Sequence, residues 1–115
     1  AYESRDHLVE VFEGHALKKH TPHTIDNFDK LVTHLKEVAR IGYAVDDEEL
    51  EEGVRCVAAP VRDYSHRVVA GVGLSGPVPR FSLERIEKDL VPLVKEAASK
   101  LSQRLGYEVG ALAAR

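Results

Sequence analysis

Two neighbouring segments rich in valine and alanine constrain the fold more than any other feature of this sequence. Residues 54–62 and 67–76 flank the polar stretch Asp63–His66, whose composition is typical of a turn. Two such segments around a short polar connection predict an antiparallel β-hairpin. Side chains along each strand then alternate between the two faces of a sheet, so every second residue shares an environment.

The length of the turn sets the predicted pairing of the two strands. A four-residue turn places Arg62 opposite Arg67, and it places Cys56 opposite Gly73, with Ser75 diagonal to Cys56 on the same face. A bulge in the turn would change this register. Short side chains on one face leave room for a ligand, where large ones would fill the space.

Glycine in the second strand supports the same expectation. Gly71, Gly73 and Gly76 all fall within it. Glycine weakens a strand, so three of them suggest close approach by a ligand or by another backbone. Ser75 lies among them and could donate a hydrogen bond to an anion; the alternative is a serine that satisfies neighbouring backbone groups.

Helical periodicity appears before and after the hairpin. Ser4 begins a short helix over residues 4–13, and Asp26 caps an amphipathic helix that ends at Gly42. Ser82 caps a last helical segment, in which Pro92 predicts two helices or a kink.

A third strand, Tyr43–Asp47, precedes the hairpin and completes the order α, α, β, β, β, α. This order predicts an α+β fold in which a helix covers one face of a small antiparallel sheet. Sheets of this kind usually have more strands, and we expect the others to precede Ala1.

Composition narrows the function classes. The 115 residues allow one domain, and the net charge of −3 lacks the basic excess of a duplex-binding surface. Cys56 is the single cysteine, which excludes an internal disulfide and fits the cytoplasm. No apolar run approaches the roughly 20 residues that span a bilayer.

Six carboxylates fall within the seven residues 46–52, immediately after the predicted third strand. Their mutual repulsion predicts a solvated loop with most of the side chains in water. Asp46 differs because it ends the strand and can turn toward a cleft. A calcium loop is the alternative, but the run lacks the spaced oxygen ligands and central glycine of such loops.

The sequence gives less support to a catalytic site or a metal site than to a binding cleft. A nucleophilic Cys56 needs a base within reach, and no histidine has a sequence context that supplies one. His20 and His23 flank Pro22, but a metal site wants three or four ligands. We therefore expect no catalytic residue, no metal site and no cofactor.

Four motifs together carry a resemblance to a known family: His20–Ile25, Ile41–Glu49, Gly53–Val61 and Leu74–Pro77. In order and spacing they resemble the effector-binding domain of IclR-type transcription regulators over nearly the whole chain. The combination Gly-Tyr-Ala-x-Asp-Asp-Glu-Glu followed by Gly-x-x-Cys-x-Ala-Ala is the most specific part.

The resemblance implies a GAF-like antiparallel sheet flanked by helices, with residues 1–115 forming the C-terminal part of a single effector-binding domain. It implies a homodimer or homotetramer, and operator DNA bound only through an N-terminal winged helix-turn-helix absent from this chain. It further implies that the chain is not an enzyme. A small carboxylate-bearing metabolite is expected in a cleft over the sheet. The matching pocket positions are Asp46, Val54, Cys56, Gly73 and Ser75.

Two positions depart from the family pattern. Gly73 stands where other members place a serine, which removes a hydrogen-bond donor, and His66 occupies a turn position where relatives often have glycine. Two other functions stay open: a cysteine-dependent enzyme using Cys56, and a ligand-free oligomerisation module. The module would use an apolar face of the last helix, formed by Val94, Ala97, Leu101 and Leu105.

Overall fold

The computed structural model describes residues 1–108. Its elements follow the predicted α+β order: α1 (Arg5–Phe12), α2 (Phe28–Ile41), β1 (Ala44–Asp47), β2 (Val54–Arg62), β3 (Val68–Pro77), α3 (Leu83–Arg85), a π-helical turn (Ile86–Leu90) and α4 (Val91–Arg104). The three strands form one antiparallel sheet in the order β1-β2-β3. The predicted helix-flanked antiparallel sheet is therefore confirmed.

The core lies between one face of the sheet and the last helical segment. Val57, Ala59 and Val61 of β2 are only 1–4% exposed on this face. The helical side chains packed with them come from the π turn and α4: Ile86, Leu90, Val91, Val94 and Ala98. Burying each large aliphatic side chain stabilises the fold by about 1.5–3 kcal/mol, so this interface dominates the stability of the sheet.

The predicted break near Pro92 takes the form of a wide helical turn. The amide of Val91 donates to the carbonyl of Ile86, five residues earlier, which defines a π turn directly before the proline. Proline has no N–H, and its ring crowds the preceding turn, so a wider turn relieves both problems without ending the helix. Ile86, Leu90 and Val91 remain buried across the transition.

A buried serine fastens the far end of α4 to the sheet. Ser102 is 4% exposed; its hydroxyl accepts the amide of Arg62 at 2.9 Å and donates to the carbonyl of Ala98 at 2.7 Å. The end of β2 is therefore hydrogen bonded to the helix that covers it.

The predicted register of the hairpin is wrong by two residues. Cys56 pairs with Ser75, not with Gly73, and Arg62 pairs with Val68, not with Arg67. The connection is one residue longer than predicted, and a bulge next to Arg62 adds a second extra residue to β3. From Val54 to Val61 the shift is two residues, an even number, so those side chains keep their predicted face. At Arg62, on the other side of the bulge, the partner moves by one residue only.

The turn itself explains the longer connection. His66 adopts a left-handed conformation with φ of 65°. The side chain of Asp63 accepts the amide of Ser65 at 2.8 Å, and the amide of His66 donates to the Asp63 carbonyl at 3.0 Å. A type I-like turn followed by a left-handed residue is the usual way to build a hairpin loop with a bulge.

The first two helices pack against each other through their aromatic residues. The rings of Phe12 and Phe28 lie 6.1 Å apart, and the guanidinium of Arg5 lies 5.6 Å from the centre of the Phe28 ring. Ser4 caps α1 as predicted. The predicted cap of α2 was wrong by one residue: Asn27, not Asp26, accepts the amide of Lys30. Among residues 1–108, the helices are too short or too polar for a membrane span.

Candidate functional site

The sheet face opposite α4 is open and lined by short side chains. Val54, Cys56 and Ala58 are half-buried there, and Gly73 and Ser75 are exposed. The alternation along β2 and β3 brings all five predicted pocket residues to this one face, because Asp46 pairs with Cys56 and Ser75 pairs with it from the other side. Val54 pairs with Pro77, and Gly73 pairs with Ala58.

Asp46, Cys56 and Ser75 form one row across the three strands. The Cys56 thiol and the Ser75 hydroxyl face each other, with Sγ and Oγ 3.0 Å apart. Neighbouring strands lie about 4.8 Å apart, so the row spans roughly 10 Å. One end of the row carries a carboxylate and the other a hydroxyl that can donate, which suits a small molecule with an anionic end and a donor end.

The carboxylate of Asp46 is anchored at one oxygen. Its Oδ1 accepts the backbone amide of Glu49 at 2.9 Å. Within the described part of the chain, no protein donor is bonded to Oδ2. A charge-assisted hydrogen bond of this kind is stronger than one between neutral groups, so it restricts the rotamers of the side chain and leaves the second oxygen as an acceptor.

The prediction that most of the acidic run points into water is wrong for the first four of its six acidic residues. The first four acidic residues are half-buried and accept hydrogen bonds. Asp47 forms a 2.7 Å ion pair with Arg55; Glu48 accepts the amide of Gly53 at 2.9 Å, and Glu49 accepts the amide of Asp47 at 3.1 Å. Carboxylates that close a turn this way offset their repulsion by binding backbone donors.

A contact that the sequence analysis missed holds this acidic loop from outside. The Thr21 hydroxyl donates to the carbonyl of Glu48 at 2.5 Å, and the Thr24 hydroxyl donates to the carbonyl of Glu49. Thr21 is 6% exposed. Both threonines belong to the Thr-Pro-His-Thr motif that helped to carry the family resemblance. No local pattern revealed the contact, because its partners lie 27 and 25 residues apart.

Gly73 is required by close backbone packing. A Cβ at this position would lie 2.9 Å from the Val57 carbonyl oxygen and 3.1 Å from the Ala58 Cβ. Contacts this short with a backbone atom force the strands to shift, so the serine expected from the family pattern would not fit this geometry without rearrangement. The prediction of close approach by another backbone therefore holds at Gly73.

The structure also bears on the alternative functions: an enzyme using Cys56, a metal site and an oligomerisation module. The side chain hydrogen bonded to the Cys56 thiol is Ser75, a hydroxyl and not a base. No group of three His, Cys, Asp or Glu side chains in residues 1–108 could hold a metal ion. Val94 is 1% exposed in the core, so its predicted place on a free oligomerisation face is wrong; Leu101 and Leu105 remain 44% and 46% exposed.

The fold and site thus define a small α+β domain with one helix-covered face and one open polar face. Residues 1–103 match the family described as "Bacterial transcriptional regulator IclR C-terminal". The chain therefore belongs to the IclR family of bacterial transcriptional regulators, in the region of their C-terminal domain.

Individual relatives agree with this assignment. The HTH-type transcriptional regulator KdgR of Escherichia coli (strain K12) is 40% identical over 107 residues, which is 93% of this chain and 40% of KdgR. The crystal structure of the C-terminal domain of E. coli KdgR superposes with a TM-score of 0.84 at 40% identity, covering 92% of this chain and 64% of that one. The chain thus spans two fifths of the curated relative.

Two further solved structures are similar. The Thermotoga maritima IclR has a TM-score of 0.81 and 40% identity, covering 89% of this chain and 41% of that one. A double mutant of the inducer-binding domain of the PobR transcription factor from Acinetobacter, in complex with 3-hydroxybenzoic acid, has a TM-score of 0.82 and 26% identity, covering 87% and 57% of the two chains.

Proposed function

We propose that residues 1–115 are the C-terminal part of one effector-binding domain, and that a small carboxylate binds its open sheet face. In the whole regulator, which we propose to be a cytoplasmic homodimer or homotetramer, occupancy of this site changes the operator affinity of an N-terminal winged helix-turn-helix. The double mutant of the PobR inducer-binding domain supports the ligand class, since its bound 3-hydroxybenzoic acid carries both a carboxylate and a hydroxyl.

The observation that carries the proposal is the row of Asp46, Cys56 and Ser75. With the Cys56 thiol donating to Ser75 Oγ, the Ser75 hydroxyl proton is free to bind a ligand carboxylate. At the other end, Asp46 Oδ2 accepts a hydroxyl of the same ligand and repels a second negative charge. Val54 supplies apolar contact beside the row.

A ligand bound here regulates only if it favours one conformation of the oligomer over another. A coupling free energy of about 1–3 kcal/mol between the two sites is sufficient. We infer that the domain is not an enzyme, because its named relatives are transcriptional regulators and the thiol contacts a hydroxyl and not a base.

Calorimetric titration with two matched pairs of acids tests the proposal: 4-hydroxybutyrate against butyrate, and 3-hydroxybenzoate against benzoate. We expect the hydroxylated member of a pair to bind more tightly. Ser75→Ala should weaken its binding about tenfold, equivalent to about 1.4 kcal/mol, because a donor to the carboxylate is lost. Cys56→Trp should abolish binding by filling the open face.

Ser99→Ala is the matched control, since Ser99 is an exposed serine of α4 and α4 covers the opposite face. Its affinities should equal those of the unmodified protein. If Ser75→Ala and Cys56→Trp leave the affinity of every bound acid unchanged, the site is assigned to the wrong face.

A further inference from the structure

We propose that Thr21, supported by Thr24, is a positioning residue for the Asp46 carboxylate, and that it thereby sets the preference of the site for hydroxylated acids. This inference rests on the proposed function for its ligand, but its structural part concerns the protein alone. Nothing in the fold requires a loop before α2 to contact the acidic loop after β1, yet two side-chain hydroxyls make that contact.

A continuous chain of hydrogen bonds runs from Thr21 to Asp46 through one peptide unit. The Thr21 hydroxyl donates to the carbonyl of Glu48 at 2.5 Å. The amide of the same peptide unit, the N–H of Glu49, donates to Asp46 Oδ1 at 2.9 Å. Fixing the carbonyl therefore fixes the direction of the amide, because the peptide unit is planar.

The backbone at Glu48 needs this support. Glu48 has φ of 56°, in the left-handed region. That conformation costs a non-glycine residue stability, and it persists where surrounding contacts over-determine it. The Thr21 hydroxyl is bonded directly to the carbonyl of this residue, so its removal favours rotation of the peptide that carries the Asp46 donor.

The threonine loop is organised independently of the acidic loop. The Thr24 hydroxyl accepts the amides of His20 and Thr21 at 3.1 and 2.9 Å, and the Thr21 hydroxyl accepts the amide of His23 at 3.0 Å. With their lone pairs bound to local amides, the hydroxyl protons point outward to the two carbonyls. The loop is a preformed pair of donors for the acidic loop.

Holding Asp46 Oδ1 fixes where Oδ2 can accept a ligand hydroxyl. When the chain is broken, the carboxylate regains rotamer freedom and its bond to a ligand hydroxyl weakens, whereas an acid without that hydroxyl loses nothing. A merely structural role for Thr21 would weaken both kinds of acid equally. The preference between them is therefore the informative measurement.

The first test needs no ligand. In the ¹⁵N-labelled protein, hydrogen exchange at the Glu49 amide should be slow because Asp46 Oδ1 accepts this amide, and Asp46→Ala should speed it. This change in the exchange rate on Asp46→Ala is the Glu49 response. Thr21→Val should reduce it toward zero, and Thr21→Ser, which keeps the hydroxyl, should retain it. Thr33→Val is the matched control, since the Thr33 hydroxyl donates to the Asp29 carbonyl within α2 at 3.0 Å.

A full Glu49 response in folded Thr21→Val overturns the proposal. Should Thr21→Val fail to fold, Thr24→Val carries the same comparison, with Thr24→Ser as its rescue; a full response in Thr24→Val then overturns the proposal in the same way.

The second test repeats the four-acid titration with the Thr21 variants. Thr21→Val should reduce the preference for 4-hydroxybutyrate over butyrate, or for 3-hydroxybenzoate over benzoate, by about threefold or more, which corresponds to the loss of one hydrogen bond. Equal weakening of both members of a pair overturns the specificity role. If none of the four acids binds while the Glu49 response behaves as expected, the carboxylate effector is rejected and the positioning of Asp46 stands.

Discussion

The nine residues of β2 form two faces that differ in burial. On one face, Val57, Ala59 and Val61 are 1–4% exposed beneath α4. On the other, Cys56 and Ala58 are half-buried and open toward solvent. Because side chains alternate along a strand, neighbouring residues of β2 face the core and the open surface in turn. Substitutions on the core side should change the free energy of unfolding, and substitutions on the open side should change ligand affinity.

The difference also explains which residue types each face tolerates. The covered face needs volume, because dispersion contacts and burial both scale with the atoms packed there. The open face keeps short and polar side chains, since it contributes little burial and leaves a surface for a ligand. Stability variants should therefore cluster on one face and affinity variants on the other.

The largest expected effect lies under the covered face. Ile86→Ala should lower the free energy of unfolding by about 3 kcal/mol, because Ile86 is 2% exposed and its truncation leaves a cavity. Leu93→Ala, at a position of the same helical segment that is 55% exposed, should cost less than about 0.5 kcal/mol. Urea denaturation measures both. Equal losses would contradict the assignment of Ile86 to the core between the sheet and the last helical segment.

A smaller effect is expected where β3 meets the chain that follows it. Gly76→Ala should cost about 2 kcal/mol, since the added Cβ would lie 2.3–2.8 Å from atoms of the Phe81 ring. Gly71→Ala is the control, because the nearest atom to its Cβ is the Ala59 carbonyl oxygen at 3.8 Å. Thermal unfolding measures both variants. If Gly76→Ala and Gly71→Ala have the same midpoint of unfolding, Phe81 is not held against the strand.

The sequence predicted correctly which side chains of the hairpin share a sheet face, but it predicted wrongly which residues pair between β2 and β3. A period of two assigns each residue to a face whatever the even offset between strands. The partner depends on turn geometry, and a histidine at position 66 tolerates the left-handed conformation that it adopts without specifying it. Val54–Arg62 was bounded correctly because Gly53 and Asp63 mark its two ends.

The candidate site was predictable only where it is local. That Cys56 and Ser75 share a face follows from strand alternation, whereas Asp46 was expected near a cleft because it ends its strand. The bond from Thr21 to Glu48 joins residues 27 apart, and nothing in a single sequence reports which distant carbonyl a hydroxyl will meet. The half-burial of the acidic run was missed for the same reason: its carboxylates bind backbone amides that become available only once the loop has folded.

The smallest expected effect concerns the turn, which belongs to neither face but sets the register of both. Hydrogen bonds from the Ser65 hydroxyl, at 2.5 Å, and then from the Ser65 amide lower the pKa of the Asp63 carboxyl. A group whose pKa is lowered by folding stabilises the protein above its unfolded pKa, about 3.9. That contribution is lost as the pH falls through the lower value of the folded state. Asp63→Asn should therefore be slightly less stable than the unmodified protein at neutral pH, and the gap should close as the pH falls below 4.

Unfolding measured from pH 2 to pH 7 checks this pH dependence, with Ser65→Ala expected to narrow the gap by removing one of the donors. A gap that stays constant across this range would mean that the Asp63 charge does not stabilise the turn. The pairing of Cys56 with Ser75 would then depend on the bulge next to Arg62 and on packing of the covered face against α4, and not on the Asp63 carboxylate.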